Sequence, residues 1–208
     1  MELSVGSRRP LADAARLLEE RFHRVVTYED TPYAHPDDTV RDEAGRLIPR
    51  GGSITVQYGE ADDPQGVIAN ILEAYARSNL PGRFAVEHRD GDYHIVPRAF
   101  RDARGAMEAR TSLLDTPIAF VARGRDAFRV MEEIAHSVSR ARGETVALGT
   151  VPINRLAQHR VASDRLNGSA RDLLVGLFRE TGTRSSWQLL NDPGSRDYFL
   201  NIHDVPDP

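Results

Sequence analysis

The side chains best suited to chemistry in this 208-residue sequence are its seven histidines and its 31 carboxylates. The histidines are His23, His35, His88, His94, His136, His159 and His203. No pair of them brackets a glutamate at the spacing of a zinc-hydrolase helix, and without cysteine no thiolate zinc knuckle can form. His35, Asp37 and Asp38 make the densest set of possible ligands, with Glu29 and Asp30 nearby. Imidazole and carboxylate oxygen suit a divalent cation. The same Asp- and Pro-rich composition also suits a solvated turn. The reading therefore assigns no catalytic, cofactor or metal residue, and keeps His35, Asp37 and Asp38 as the one candidate loop.

His88 and His94 flank the turn Asp90-Gly91, a strong hairpin signal. A two-residue loop sets His88 opposite Tyr93 and Glu87 opposite His94, so the two histidines fall on opposite faces. Asp62 or Asp63 is expected to cap a helix, and Ser169 another. Gly51-Gly52-Ser53 leads into a strand, so it is not a nucleophile elbow. All 27 basic residues are arginine. That removes Schiff-base and phosphate-loop lysine chemistry, and the lack of cysteine removes thiolate chemistry. Residues 1–98 hold 12 Arg against 17 Asp and Glu, so neither charge nor a GxxG loop favours nucleic acid. Arg89, Arg98, Arg101, Arg104 and Arg110 form a basic stretch, but interleaved acids make it a salt-bridged surface.

The elements that must position these groups follow from periodicity. Leu11, Ala14, Ala15, Leu18 and Phe22 make one helical stripe after Pro10, between strands at Leu3–Val5 and Arg24–Tyr28. Residues 29–52 read as a surface loop. A strand at Ser53–Tyr58, a helix striped by Ile68, Ile71 and Tyr75, and the hairpin Phe84–His88/Tyr93–Pro97 complete a first half. Residues 99–112 read as a linker or short helix. The second half repeats the order: a strand Pro117–Ala122, a helix from Asp126 to the Gly143 stop, and a strand Thr145–Leu148. It continues with a weak strand near Arg160–Ser163, a helix after Ser169, and strands Ser186–Leu190 and Tyr198–His203. Trp187 alternates into the core. The pattern predicts internal duplication with a period of about 105 residues. The expected fold is α+β: two similar domains, 1–98 and 113–208. Each has two strand–helix–strand units and a C-terminal hairpin, with helices packed on small sheets.

The run Arg9-Pro-Leu-Ala-Asp-Ala-Ala-Arg-Leu-Leu-Glu19 leading to Val25-Val-Thr-Tyr28 resembles the secretin/TonB short N-terminal (STN-like) domains. Leu166-Asn-Gly-Ser-Ala-Arg-Asp-Leu-Leu-Val-Gly-Leu-Phe-Arg-Glu-Thr-Gly-Thr183 leading to Ser186-Trp-Gln-Leu-Leu190 resembles them again, so the chain looks like a tandem pair. Good agreement covers roughly 60 residues, and the motif mostly encodes an amphipathic helix between two strands. The resemblance implies a non-enzymatic module that binds a protein partner in the bacterial cell envelope, without cofactor. It implies a periplasmic or otherwise exported location if a leader has been removed, and a cytoplasmic one otherwise. No run is apolar enough for a membrane span. The alternative expectation is a metal-dependent enzyme or small-ligand binder built on the His35, Asp37 and Asp38 loop.

Overall fold

A computed structural model describes residues 1–59 and 62–207. The strands are β1 (Glu2–Ser7), β2 (Val26–Glu29), β3 (Thr39–Arg41), β4 (Leu47–Pro49), β5 (Gly52–Gln57), β6 (Arg83–Arg89), β7 (Asp92–Arg101), β8 (Met107–Ala109), β9 (Pro117–Val121), β10 (Val146–Leu148), β11 (Arg165–Ser169), β12 (Ser185–Asn191) and β13 (Tyr198–Asp204). The helices are α1 (Pro10–Phe22), α2 (Pro64–Arg77), α3 (Ala127–Arg142), α4 (Ile153–Gln158) and α5 (Ala170–Glu180). Helix and strand are mixed in several small sheets, so the fold is α+β. Two compact units result. One is Met1–Thr111 with Asn191–Arg196 and the C-terminal residues from Val205; the other is Ser112–Leu190 with Asp197–Asp204.

In the first unit β1 pairs antiparallel with β5, joining Leu3 to Val56 and Val5 to Ile54. β2 runs parallel to β7, joining Val26 to Tyr93, and β7 pairs antiparallel with β6. Helices α1 and α2 pack together between this ribbon and this sheet. Their buried stripes are Leu11, Ala14, Ala15 and Leu18 on α1, and Val67, Ile68, Ile71 and Tyr75 on α2.

The second unit repeats the scheme strand for strand. β9 pairs antiparallel with β11, β10 runs parallel to β13, joining Val146 to Tyr198, and β12 neighbours β13. Met131, Ile134, Ala135 and Val138 of α3 stand where Leu11, Ala14, Ala15 and Leu18 stand in α1. Small devices recur as well. The Val26 N–H donates to the Glu19 carboxylate at 3.0 Å, and the Val146 N–H donates to the Ser139 hydroxyl at 2.8 Å, each across seven residues. A left-handed residue ends each helix, His23 at φ 48° and Gly143 at φ 68°. Tyr75 meets Phe84 at 5.5 Å between ring centres, and Phe178 meets Trp187 at 6.0 Å. Two turns upstream of that aromatic, Ile68 is buried in the first unit and Arg171 in the second. Arg171 donates to Asp115 at 3.0 Å and to Ser112 at 2.6 Å.

Four local readings change. The surface excursion 29–52 contains the hairpin β3/β4. Residues 99–112 are not a free linker or helix: β7 runs on to Arg101 and β8 pairs back onto it. The weak strand expected near 160–163 lies at Arg165–Ser169, where pairing with β9 overrides poor strand propensity at Asn167 and Gly168. Helix α4 was not anticipated; it is only 6 residues long.

Candidate interaction groove

The candidate loop is a structural corner. The His35 ring accepts the Asp37 N–H at 3.2 Å and starts a 3-10 turn over Pro36–Asp38. Asp38 is buried, and its Oδ1 is held by Arg101 through both Nε and Nη2. The Asp37 carboxylate points to solvent, 3.8 Å from the His35 ring. The three side chains therefore do not converge on one point. Among the described residues no group of three or more His, Asp or Glu could hold a metal ion. His88 stacks on Tyr93 at 4.6 Å, while the buried His94 shares a hydrogen bond with Thr27 at 2.8 Å. Of the basic stretch, Arg89 and Arg98 both reach Glu87.

The densest polar cluster was not foreseen. It is in the first unit, around Asp30, where β2 ends. Asp30 accepts from Arg9 at 2.9 Å and from the phenols of Tyr28 and Tyr33 at 2.8 Å each. Arg9 also donates to the Asn191 carbonyl at 2.5 Å. Burial raises the pKa of Tyr28 and Tyr33 well above the ordinary phenol value, and Asp30 raises them further. Burial works against the Arg9 charge, yet Asp30 beside it carries the guanidinium above its usual range. Every polar atom named here faces another, so this is a clasp that seats α1 on β2.

An unclaimed surface lies in the second unit, where α3 faces β10. The groove holds about 720 Å³. Phe128, Glu132, Ala135, His136 and Ser139 line it from α3, at the spacing that stacks side chains along one helical face. Val146, Ala147, Leu148, Val151 and Ile153 line the other wall. Ile153 is 49% exposed and Leu148 is half-buried. At Gly149 a Cβ would come within 2.3 Å of the Asn201 side-chain oxygen, which accepts the Thr150 N–H at 2.8 Å.

β10 also sits at the edge of its sheet. The Tyr198 N–H donates to Thr145 and the Gly149 N–H donates to Leu200, so Thr145, Ala147 and Gly149 turn their main chain toward β13. The main-chain groups of Val146 and Leu148 point the other way, away from β13. The Ser139 hydroxyl accepts the Val146 N–H at 2.8 Å and donates to the Ala135 carbonyl at 2.9 Å, with the Val146 carbonyl farther away at 3.3 Å. Among the described residues nothing pairs with the outward N–H and C=O of Leu148. Phe128 had been read only as part of the core stripe, and Val151 and Ile153 were not singled out. The available signal was Val151-Pro152-Ile153, an apolar run that Pro152 keeps from extending the strand.

No family model matches the chain, and no solved structure does. It is 26% identical over 196 residues to translation initiation factor IF-2 of Jannaschia sp. (strain CCS1), covering 82% of this chain and 23% of that protein. It is 27% identical over 191 residues to translation initiation factor IF-2 of Cereibacter sphaeroides (strain ATCC 17029 / ATH 2.4.9), covering 79% of this chain and 22% of that protein. The chain thus spans less than a quarter of the length of these curated relatives. No described helix is long and apolar enough to cross a membrane.

Proposed function

We propose that the chain is a non-enzymatic protein-interaction module of the bacterial envelope, a tandem pair of STN-like domains. The observation that carries this reading is the apolar α3/β10 groove beside a sheet edge with main-chain groups left to bind. The repeated pairing scheme, β2 parallel to β7 in one unit and β10 parallel to β13 in the other, supports a pair of like domains, although the runs that carry the resemblance, α1 into β2 and α5 into β12, fall in different halves of that repeat. A second reading rests on the likeness to IF-2, and makes the chain a cytoplasmic accessory segment of the translation machinery. It carries no phosphate-loop chemistry, because the chain has no lysine.

Photo-crosslinking in bacterial cells separates the two. A photoreactive residue at Ile153 should capture an envelope protein that the same residue at exposed Met107, in the first unit, does not. Capture of a ribosomal or initiation component favours the second reading. Identical patterns at both positions overturn the groove as the interaction site.

A further inference from the structure

A second binding edge lies in the first unit, on the β1/β5 ribbon. The Tyr58 N–H donates to the Met1 carbonyl, so β1 bonds to β5 through Met1, Leu3 and Val5. Alternation turns the N–H and C=O of Glu2, Ser4 and Gly6 away from β5. The ribbon has only two strands, and among the described residues nothing pairs with those main-chain groups. Helix α1 underlies β1, and α2 underlies β5. Neighbouring strands stand about 5 Å apart and packed helices about 8–10 Å, so α1 projects beyond the edge of β1 as a step. Leu17 is 40% exposed there, with Asp13 one turn before it and Arg21 one turn after. The Arg21 guanidinium reaches the Met1 sulfur at 3.8 Å, which brings this row up beside the start of β1. Among the described residues neither Asp13 nor Arg21 has an ion-pair partner. The Glu2 carboxylate is on the solvent face of the ribbon, held by Gln57.

A strand added to β1 lies over this step. Four helix residues advance about 6 Å and two strand residues about 6.8 Å, so Asp13, Leu17 and Arg21 keep pace with alternate residues of such a strand. A second copy does not fit. Pairing β1 with β1 about a two-fold axis brings two α1 helices to about 5 Å, far inside their packing distance.

We propose that β1 takes an extended peptide as a third strand of the ribbon, one with a basic, an apolar and an acidic side chain at alternate positions. The apolar side chain lies opposite Leu3 and covers Leu17. The basic one lies opposite Val5 and meets Asp13, and the acidic one lies opposite Met1 and meets Arg21. The residues between them bond to Glu2 and Ser4. Antiparallel to β1, the order reads basic, any, apolar, any, acidic.

The probe is a fluorescein-labelled peptide of about nine residues, Arg-Thr-Leu-Thr-Glu flanked by serines, titrated against the full chain by fluorescence anisotropy. Two companions carry Glu, or Arg, at both charged positions. The parent chain should bind the mixed peptide severalfold more tightly than either companion, by a margin that shrinks as salt rises. Asp13→Arg should exchange that preference for the peptide with two Glu. Ser4→Pro removes one outward N–H and spares the β5 ladder, so the mixed peptide should bind about tenfold more weakly while circular dichroism is unchanged. An ester in place of the peptide amide that bonds to Ser4 makes the same test without altering the chain. Leu17→Glu, at an exposed helical position, should also weaken binding about tenfold. Ile153→Asp, in the other unit, should leave this binding unchanged, so failure here and failure of the α3/β10 groove are read separately. No binding, equal binding of the three peptides, or indifference to Leu17→Glu overturns the site. Binding untouched by the ester overturns strand addition. Sedimentation of the parent chain as a dimer that Ser4→Pro abolishes puts a second copy on the edge and overturns the proposal as well.

Discussion

In the first unit β2 is buried at all four positions, Val26 to Glu29; in the second its counterpart β10 is buried only at Val146. Tyr28 and Leu148 hold the same place in the two ladders, opposite Ile95 and Leu200. Tyr28 is enclosed and hydrogen-bonded to Asp30, whereas Leu148 faces a groove. The neighbouring helix shows the same divergence. Ala12 is buried one turn into α1, and Glu132 stands half-exposed at the matching place on α3. Matching pairing schemes thus hold β2 as an interior strand of its sheet and β10 as an edge strand. The pairing scheme is shared, and the position of each strand in its sheet sets how far it is enclosed.

The largest expected effect tests the other difference between the units, Ile68 against Arg171. Arg171→Ala leaves Asp115 without its partner in a mostly buried place and should cost about 3–5 kcal/mol. Replacing both, Arg171→Met with Asp115→Leu, makes the second unit apolar there like the first and should recover most of that loss. Denaturant midpoints read by Trp187 fluorescence, which reports on the second unit, decide it. A double variant as unstable as the single one breaks the equivalence of the two positions.

The strand-start caps come next. Glu19→Ala strands the buried Val26 N–H and should cost about 1–3 kcal/mol. Ser139→Ala frees the same group in the half-open strand, where water can replace the hydroxyl, and should cost only about 1 kcal/mol. Equal costs measured by urea unfolding would show the two strand starts to be equally enclosed. Smaller still is the exchange at the helix ends. His23→Gly should stabilise by about 0.5–1 kcal/mol, and Gly143→Ala should destabilise by a similar amount, because both positions need positive φ.

The smallest effect is electrostatic. A hydrogen bond from Arg155 lowers the Asp204 pKa, helped by its charge and by Ser185. A depressed carboxylate adds stability that is present above its ordinary range and lost as pH falls through its folded value. Thermal midpoints should therefore fall less steeply with acid in Arg155→Ala than in the parent chain. Both ends of this pair are partly exposed, so the difference is slight and shrinks with salt.

Helices were legible wherever an apolar stripe ran for three turns and a cap preceded it. Asp63 accepts from Gly66 and Ser169 from Asp172, as expected of such residues. The hairpin at Asp90-Gly91 was legible because its turn admits few residues. The β3/β4 hairpin and the β7/β8 return were not, since strands of 3 residues show no alternation. Their signal lay in the turns. Asp42 accepts from the N–H groups of Ala44 and Arg46, with Gly45 at φ 77°. Asp102 accepts from those of Arg104 and Ala106, with Gly105 at φ 87°. Asp followed three residues later by Gly closes the same loop twice. The groove was illegible for a different reason. Phe128 and Val151 look like core in one dimension, and only the pairing of β10 on one side shows which face remains.

Amide hydrogen exchange of the free chain tests most directly the claim that matching strands are enclosed in one unit and open at a sheet edge in the other. The account predicts slow exchange at Val26 and Tyr28, intermediate protection at Val146 behind Ser139, and rapid exchange at Leu148. Protection of Leu148 equal to that of Tyr28 in the unbound protein would contradict it.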